Sequence, residues 1–159
     1  MTIQVGDSIP ACTLKIMGEK GPQAITTAQL FDGKKVVMFA VPGAFTPGCS
    51  LTHLPGYVVL ADQIKAKGVD SIICLAVNDA FVMDAWGKTQ NADELIMLAD
   101  GNAEFTKAMG LELDGTGFGL GIRCKRMAMI VDNAVVKHLA IEPPGGIVVS
   151  AAEAILQLL

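Results

Sequence analysis

Short apolar runs are separated by turn-forming residues along this chain, and the pattern predicts an alternation of strands and helices. Three of these runs are typical of buried strands: 36–41, 69–77 and 95–98. A helix is predicted after each strand, over about 47–67, 79–86 and 103–109, and a glycine follows each helix. The first helix is expected to be interrupted at Pro55-Gly56, because a proline inside a helix removes a hydrogen bond.

The last third of the chain has a different pattern. Residues 111–124 predict a glycine-rich loop, whose glycine spacing does not match a dinucleotide-binding fingerprint. The runs 127–131 and 134–139 predict a hairpin that turns at Asp132-Asn133. Ser150-Ala151-Ala152-Glu153 has the sequence of a capping box and predicts a closing helix that runs to Leu159. This order indicates an α/β fold, with a central mixed β-sheet flanked by helices, formed by residues 1–159 as a single domain.

Composition narrows the classes of protein that fit this pattern. Apolar residues make up 52% of the chain and charged residues 18%, which argues against disorder. The apolar run at 36–41 is far shorter than the ~20 residues that span a bilayer, so no membrane segment is expected. The net charge is −4, and basic residues cluster tightly only at Arg123–Arg126, which argues against an extended nucleic-acid interface. The first residues lack the features of a signal peptide, and the chain is expected to be cytoplasmic.

The segment Pro42–Ser50 carries the candidate chemistry. It follows the first predicted strand, with Thr46 as the expected helix N-cap and Pro47 at the first helical position. Cys49 then falls in the first turn of the helix, where unpaired backbone N–H groups and the helix dipole favour an anion. This position predicts a thiolate that attacks O–O or S–S bonds. Thr46 offers a hydroxyl to that sulfur, and Pro42 offers a shield from water.

Other chemistries of Cys49 are also considered. A dithiol site of the thioredoxin type needs Cys-x-x-Cys, whereas Cys49 is followed by Ser50-Leu51-Thr52. A metal site would use Cys49 and His53, but His138 is the only other histidine, so no metal is expected. His53 is instead expected to pack or to form hydrogen bonds beside the site. A non-catalytic redox sensor or holdase stays open, because it would also use the thiolate of Cys49.

The nine residues at 42–50, followed by Thr-His-Leu-Pro-Gly at 52–56, resemble the active-site signature of the peroxiredoxins, and within them the type II, peroxiredoxin-five branch. The similarity continues through Val77–Val82 with Trp86, through Leu98–Asp100 and through Lys125-Arg126. The resemblance implies a thioredoxin-like fold. It also implies a homodimeric peroxidase that needs no cofactor and reduces hydrogen peroxide and alkyl hydroperoxides.

The resemblance further implies roles for four residues. Cys49 matches the peroxidatic cysteine, Thr46 its hydroxyl partner and Pro42 the shielding proline. Arg126 matches the arginine that stabilises the thiolate and polarises the peroxide, with Arg123 as the competing candidate. A guanidinium suits this role, because it stays charged and presents fixed N–H donors.

The resolving thiol is the point at which the chain departs from part of the family that it resembles. Atypical two-cysteine members carry a resolving cysteine near the C-terminus, but Glu142–Ser150 contains none. Cys74 matches a cysteine of plant-type relatives and is the candidate resolving residue, although its apolar surroundings favour a structural role. Cys12 is expected to pack, and Cys124 has basic neighbours that would lower its pKa. The expected reductant is therefore external, glutathione or a glutaredoxin, with thioredoxin-dependent turnover through Cys74 as the alternative.

Overall fold

The fold is built on one mixed β-sheet. The computed structural model describes residues 1–159. Its strands are β1 (Thr13–Gly18), β2 (Gly21–Thr26), β3 (Lys35–Ala40), β4 (Ser71–Ala76), β5 (Ile96–Ala99), β6 (Glu112–Asp114), β7 (Ile122–Cys124), β8 (Met127–Asp132) and β9 (Val135–Ile141). Its helices are α1 (Thr27–Phe31), α2 (Leu54–Lys65), α3 (Ala80–Thr89), α4 (Glu104–Ala108) and α5 (Ala152–Leu156). Seven strands form the sheet in the order β2-β1-β5-β4-β3-β8-β9, and β6 pairs only with β7.

The three central strands β5, β4 and β3 are parallel, whereas β8 is antiparallel to β3 and β9 is antiparallel to β8. The carboxyl ends of β3 and β4 therefore lie at the same edge of the sheet, where the loops that follow them meet. The strands and helices predicted around these three strands are confirmed, with bounds that differ by a few residues. The predicted α/β fold with a central mixed sheet is confirmed as well.

Each face of the sheet carries its own apolar core, because side chains alternate along the strands. On β3, Val37 and Phe39 belong to one core and Val36 and Met38 to the other. Helices α2, α3 and α5 pack on the first face, which we name the α2 face. Helices α1 and α4 pack on the opposite face, named the α1 face. Both faces are covered, which explains why β3 and β4 are nearly continuous apolar runs.

The helix after β3 begins at Pro47 and contains a wide π turn at Cys49–His53 before it continues as α2. In this turn the N–H of Leu54 donates to the carbonyl of Cys49, five residues earlier. Pro55 has no N–H, and in a regular α-helix its ring clashes with the carbonyl four residues before it, so a wider turn accommodates the proline. The interruption expected at Pro55-Gly56 is therefore a π turn that ends just before the proline.

Two predicted features of the C-terminal third are wrong in detail. Residues 111–124 are not a loop, since β6 and β7 pair as antiparallel strands around a 3₁₀ turn at Thr116–Phe118. Each of these strands has three residues, too few for an alternating pattern to be visible in the sequence. The β8–β9 hairpin turns at Asn133 and Ala134, whose φ angles of 47° and 63° are left-handed, rather than at Asp132-Asn133.

The predicted capping box at Ser150 does not form. Helix α5 begins at Ala152, and no side chain caps its N-terminus. The N–H and the hydroxyl of Ser150 both donate to the carboxylate of Glu142 instead, which ties the start of α5 to the end of β9. None of the five helices has both the length and the apolar character that crossing a membrane requires.

Candidate active site

Cys49 lies where the loop after β3 enters the helix, at the carboxyl edge of the parallel strands. Its side chain is fully buried on the α2 face. The backbone N–H groups of Gly48 and Cys49 donate to no acceptor in the protein, as expected in the first turn of a helix. Cys49 therefore occupies the predicted position beside free backbone donors.

Two polar side chains contact the sulfur of Cys49. Oγ1 of Thr46 lies 2.9 Å from Sγ, and Nη2 of Arg126 lies 3.2 Å from it. The Thr46 hydroxyl carries one proton and also lies 2.8 Å from the carbonyl oxygen of Gly43. It can donate to this carbonyl while Cys49 is a thiol and turn its proton to the sulfur when Cys49 is a thiolate. The Thr46 hydroxyl is therefore placed to donate to a Cys49 thiolate, and it does not cap the helix as predicted from the sequence.

His53 contacts the other end of the Arg126 guanidinium. Nη1 of Arg126 lies 2.8 Å from Nδ1 of His53, and Nε2 of His53 lies 3.0 Å from the carbonyl oxygen of Ser150. A carbonyl oxygen only accepts, so Nε2 carries the proton and Nδ1 accepts from the arginine. Burial is the main cause that lowers the pKa of His53 to about 4. The charge of Arg126 lowers this pKa further, whereas the hydrogen bond to Ser150 raises it. The imidazole is therefore neutral near pH 7 and acts as an acceptor for Arg126.

The carbonyl of Ser150 anchors this chain of hydrogen bonds. It accepts from His53 and also from the hydroxyl of Tyr57, 2.7 Å away. The Tyr57 ring stacks on Phe39 of β3, with ring centroids 3.9 Å apart. The carboxylate of Glu142 holds Ser150 from the other side, as it accepts from the serine N–H over 2.9 Å. A buried path thus connects the guanidinium beside the sulfur to the segment that precedes α5.

Arg123 holds the loop before Cys49 and does not contact the sulfur. Its Nη1 donates to the carbonyl oxygen of Pro42 over 3.2 Å. A Cβ atom at Gly43 would lie 2.6 Å from this nitrogen, so a larger residue at this position would displace the end of the Arg123 side chain. Of the two arginines considered from the sequence, Arg126 is therefore the one that reaches Cys49.

The elements that follow β4 also hold the cysteine segment. Oδ1 of Asn78, just after β4, accepts from the N–H of Ala44 over 2.9 Å. Nε1 of the fully buried Trp86 donates to Oγ of Ser50 over 2.9 Å. The bond from Ala44 to Asn78 holds the loop before Cys49, and the bond from Trp86 to Ser50 holds the π turn after it. Together they limit the motion of the Cys49 sulfur relative to its hydrogen-bond donors.

A cavity of about 670 Å³ lies against the site. Pro42, the predicted shielding residue, is half-buried and lines the cavity together with Gly48 and Arg126. These three residues form what we name the cavity floor. The cavity floor lies next to the fully buried Cys49, because Gly48 precedes this residue in the chain and Arg126 contacts its sulfur.

The remaining cysteines differ in face and exposure, and all four thiols are free. Cys74 is fully buried on the α2 face, and burial, followed by the charge of a Cys49 thiolate, raises the pKa of its thiol well above the ordinary value. Cys124 is fully buried on the α1 face, where burial raises the pKa of its thiol to about 12. The charge of Lys125 lowers this pKa in the predicted direction, but burial has the larger effect, so the pKa of the Cys124 thiol is raised and not lowered. Cys12 immediately precedes β1 and is half-buried.

Comparisons with known proteins agree with this geometry. The Redoxin family model matches residues 4–156. Peroxiredoxin-2D of Arabidopsis thaliana is 46% identical over 159 residues, which cover 99% of this chain and 98% of the relative. The crystal structure of peroxiredoxin 5 from Alvinella pompejana has a TM-score of 0.86 and 37% identity, covering 98% of this chain and 96% of that chain.

The chain is a peroxiredoxin. It is of the type II, peroxiredoxin-five kind, as predicted from the sequence. The crystal structure of reduced Prx3 from Vibrio vulnificus in complex with hydrogen peroxide is more similar still, with a TM-score of 0.96, 57% identity and 99% coverage of both chains. The thioredoxin-like fold is confirmed by these neighbours, and the peroxiredoxin is a thiol peroxidase.

The expectation that His53 packs or forms hydrogen bonds beside the site is confirmed. Its partner Arg126 and the contributions of Asn78 and Glu142 were not predicted from the sequence. His53 stood inside the motif, but its bond to Arg126 joins residues 73 positions apart, which no local pattern reveals. In the sequence, Asn78 stood only within the segment Val77–Val82 that carries the resemblance, and Glu142 only within a segment without cysteine. The signal available for His53 was its position one helical turn after Cys49, on the side of the helix that faces the sheet.

Proposed function

We propose that this peroxiredoxin reduces hydrogen peroxide and alkyl hydroperoxides at Cys49 and is recycled by glutathione or a glutaredoxin. One observation carries the proposal: the buried sulfur of Cys49 accepts hydrogen bonds from both Thr46 and Arg126. Such donors stabilise a thiolate before the reaction and the charge that moves onto peroxide oxygen during it. The Vibrio vulnificus relative was solved with hydrogen peroxide bound, which supports hydrogen peroxide as a substrate.

In the first step the Cys49 thiolate attacks the terminal oxygen of the hydroperoxide. An S–O bond forms while the O–O bond breaks, so the sulfur is oxidised to a sulfenic acid and the peroxide gains two electrons. The second oxygen leaves as hydroxide or alkoxide and takes a proton from solvent to become water or an alcohol. We assign the stabilisation of this leaving charge to Arg126 and to the free N–H groups of Gly48 and Cys49, with Pro42 limiting access of water.

Recycling of the sulfenic acid requires a second thiol. A glutathione thiolate attacks the oxidised sulfur of Cys49, an S–S bond forms, and the hydroxyl leaves as water after taking a proton. A second thiolate, from glutathione or a glutaredoxin, then attacks the glutathione sulfur and releases the Cys49 thiolate.

The environment of Cys74 supports an external reductant. Cys74 lies on the same face as Cys49, yet it is fully buried and the raised pKa of its thiol keeps it protonated near pH 7. A protonated thiol is a poor nucleophile toward a sulfenic acid. Cys124 is separated from Cys49 by the sheet, and the Glu142–Ser150 segment has no cysteine. Glutathione or a glutaredoxin is therefore the reductant that we propose.

A reductant panel tests this proposal. Peroxide consumption is followed in the steady state with glutathione, with glutathione and glutaredoxin, and with thioredoxin and its reductase. We expect Cys74→Ser to retain glutathione-supported turnover and Cys49→Ser to lose it. Cys74→Ala is the matched control, because it places no hydroxyl in the core. Loss of glutathione-supported turnover in both folded Cys74 variants would contradict the proposal, and a single burst without turnover would indicate a redox sensor or holdase.

We also propose a homodimer, as the family resemblance implies. Two exposed aromatic side chains beside the site support it: Phe45 is 53% exposed and Phe118 is 87% exposed. Aromatic side chains are enriched in the interfaces between protein chains. Analytical ultracentrifugation of the wild type and of Phe45→Ser tests the dimer, and a monomeric wild type at micromolar concentration would contradict it. The cytoplasmic location stays a prediction.

A further inference from the structure

The carboxylate of Glu142 fixes the segment before α5. It accepts from the N–H and the hydroxyl of Ser150 and from the N–H of Val149. Burial raises the pKa of Glu142, but the hydrogen bonds from Ser150 and from the N–H groups before it lower this pKa by more, so the group is ionised near pH 7. Ser150 is fully buried, and its N–H would have no acceptor without this carboxylate. The position of the Ser150 backbone therefore depends on Glu142.

The turn between β9 and α5 brings the chain back to Glu142. The N–H of Gly146 donates to the carbonyl of Pro143 over 3.2 Å, and Gly145 has a φ angle of 84°, in the left-handed region that favours glycine. A Cβ atom at Gly146 would lie 3.2 Å from Oε1 of Glu142, so the turn passes close to the carboxylate. The local sequence thus places Ser150 within reach of a residue eight positions earlier.

The backbone and the side chain of Glu142 reach Arg126 by different routes. The N–H of Glu142 donates to the carbonyl oxygen of Arg126 over 2.9 Å, at the open end of the β8–β9 hairpin. The side chain of Glu142 connects to the guanidinium of Arg126 through Ser150 and His53. These hydrogen bonds close a ring that begins and ends at Arg126. An arginine side chain has many rotamers, and the ring restricts it to one that contacts the sulfur of Cys49.

The ring also keeps the carboxylate of Glu142 apart from the guanidinium of Arg126. Glu142 takes part in neither of the two ion pairs of the structure, although it lines the same cavity as Arg126. A carboxylate bound directly to Arg126 would compete with the sulfur for the guanidinium donors. The imidazole of His53 is neutral near pH 7 and occupies only Nη1. The ring therefore positions Arg126 and leaves its Nη2 to Cys49.

We propose that Glu142 is a positioning residue for the reaction of Cys49 with peroxides. Its carboxylate fixes the carbonyl of Ser150, and this carbonyl holds the imidazole of His53 in the orientation that Arg126 requires. Glu142 acts through these groups and takes no part in bond breaking. The inference rests on the proposed function, because the step that it concerns is the attack of the Cys49 thiolate on the O–O bond.

Single-turnover oxidation by hydrogen peroxide tests the inference. The reduced protein is mixed with hydrogen peroxide without a reductant, and the second-order rate constant is followed by the fluorescence of Trp86, which is hydrogen-bonded to the residue after Cys49. Glu142→Gln keeps the size of the side chain but removes its charge and one of its two acceptor oxygens. We expect it to lower the rate constant by roughly two- to tenfold, the range of one neutral hydrogen bond.

Asp100→Asn is the matched control. Asp100 is 4% exposed and also accepts from two backbone N–H groups, those of Phe105 and Thr106, but it lies beside α4, which packs on the α1 face. Both substitutions exchange a carboxylate for an amide and remove one acceptor. We therefore expect both to lower the thermal stability and only Glu142→Gln to lower the rate constant.

A double variant shows whether Glu142 acts through His53. His53→Gln already removes the acceptor for Arg126, so adding Glu142→Gln should lower the rate constant by at most about twofold more. The Nε2 proton of His53 gives a second readout, because its resonance in a proton–nitrogen NMR spectrum depends on the hydrogen bond to Ser150. This resonance, identified by its absence in His53→Gln, should move upfield in Glu142→Gln and keep its position in Asp100→Asn.

A milder variant covers the case in which Glu142→Gln does not fold. Ser150→Ala removes only the hydroxyl that donates to Glu142 and keeps the Ser150 carbonyl. We expect it to lower the rate constant by about two- to threefold, with no further loss in the His53→Gln background.

Four results would overturn the inference. They are a wild-type rate constant in Glu142→Gln or, if that variant does not fold, in Ser150→Ala; an equal loss in Asp100→Asn; an unchanged Nε2 resonance of His53; and a full further loss when Glu142→Gln is added to His53→Gln. The last result would mean that the charge of Glu142 acts on the peroxide directly. Failure of the proposed function looks different, since hydrogen peroxide would then not oxidise Cys49 in the wild type.

Discussion

The hydrogen bond from Arg126 to His53 gives a prediction in which one atom of a side chain decides the outcome. Asparagine at position 53 places an oxygen close to where Nδ1 of the imidazole lies, so His53→Asn keeps an acceptor for Arg126 but does not reach Ser150. Glutamine places its amide nitrogen close to Nε2, so His53→Gln keeps the donor to Ser150 and offers Arg126 no acceptor at the position of Nδ1. The two variants therefore separate the positioning of Arg126 from the anchoring of the helix.

The size of the effect follows from the geometry. The Arg126–His53 bond is 2.8 Å long, one partner is charged, and His53 is 1% exposed. Hydrogen bonds to charged groups contribute about 1.5–3 kcal/mol, which corresponds to roughly 10- to 150-fold in a rate constant if the whole loss appears in the transition state. We expect His53→Gln to lower the second-order rate constant for hydrogen peroxide within this range and His53→Asn to stay within about threefold of the wild type.

Stopped-flow oxidation of the reduced protein measures these rate constants, and thermal unfolding of both variants provides the control for folding. Both substitutions disturb the ring contacts of His53 with Phe39 and Tyr57, so similar losses of stability are expected. The reasoning would be refuted if His53→Asn were as slow as His53→Gln, or if both variants reacted at the wild-type rate. Either result would mean that His53 does not position Arg126.

Three further predictions follow from the same site and its surroundings. The pKa of His53 is lowered from 6.5 to about 4 in the folded state, so below pH 6.5 the unfolded chain binds a proton that the folded chain does not. Urea unfolding should therefore show a loss of up to about 3 kcal/mol in the free energy of unfolding between pH 6.5 and pH 4. The loss should be smaller in His53→Asn, which has no imidazole to titrate. Arg126→Lys should lower the rate constant for hydrogen peroxide by roughly tenfold or more, because one ammonium group does not reproduce the fixed fork that contacts Cys49 and His53 together. Cys124 should not react with a thiol reagent in the native state and should react once the protein is unfolded, because burial raises the pKa of its thiol to about 12.

Each of these predictions has an outcome that contradicts it. A stability curve for the wild type that is flat from pH 7 to pH 4 would mean that His53 is not held neutral. Full activity of Arg126→Lys would mean that charge alone suffices beside the sulfur. Rapid labelling of Cys124 in the folded protein would mean that the α1 face opens readily.

The sequence predicted the elements around Cys49 because their signals are local. The β-branched run before the loop, the proline at the start of the helix and the long motif all act within a few residues. The choice of Arg126 over Arg123 as the arginine beside Cys49 came from the family resemblance. The structure adds the physical reason, because Arg126 contacts the sulfur whereas Arg123 binds the carbonyl of Pro42.

The features that were missed depend on contacts between distant segments. Ser150 has the sequence of a helix cap, but a carboxylate eight residues earlier competes for its N–H and hydroxyl. Cys124 has basic neighbours in the sequence, but its burial is a property of the packed sheet. The role of His53 requires the tautomer that the carbonyl of Ser150 selects, and this carbonyl is 97 residues away in the chain.

The central sheet also partitions the thiols of the protein. Cys49 and Cys74 belong to the core of one face, while Cys124 belongs to the core of the opposite face and Cys12 packs against that core. The hydrogen-bonded backbone of the sheet separates Cys49 and Cys74 from Cys12 and Cys124. A disulfide between the two faces would therefore require the strands of the sheet to separate. Cys12, the one thiol that is not fully buried, is therefore an attachment point for a fluorescent dye or a surface tether on the side of the molecule away from the peroxide chemistry.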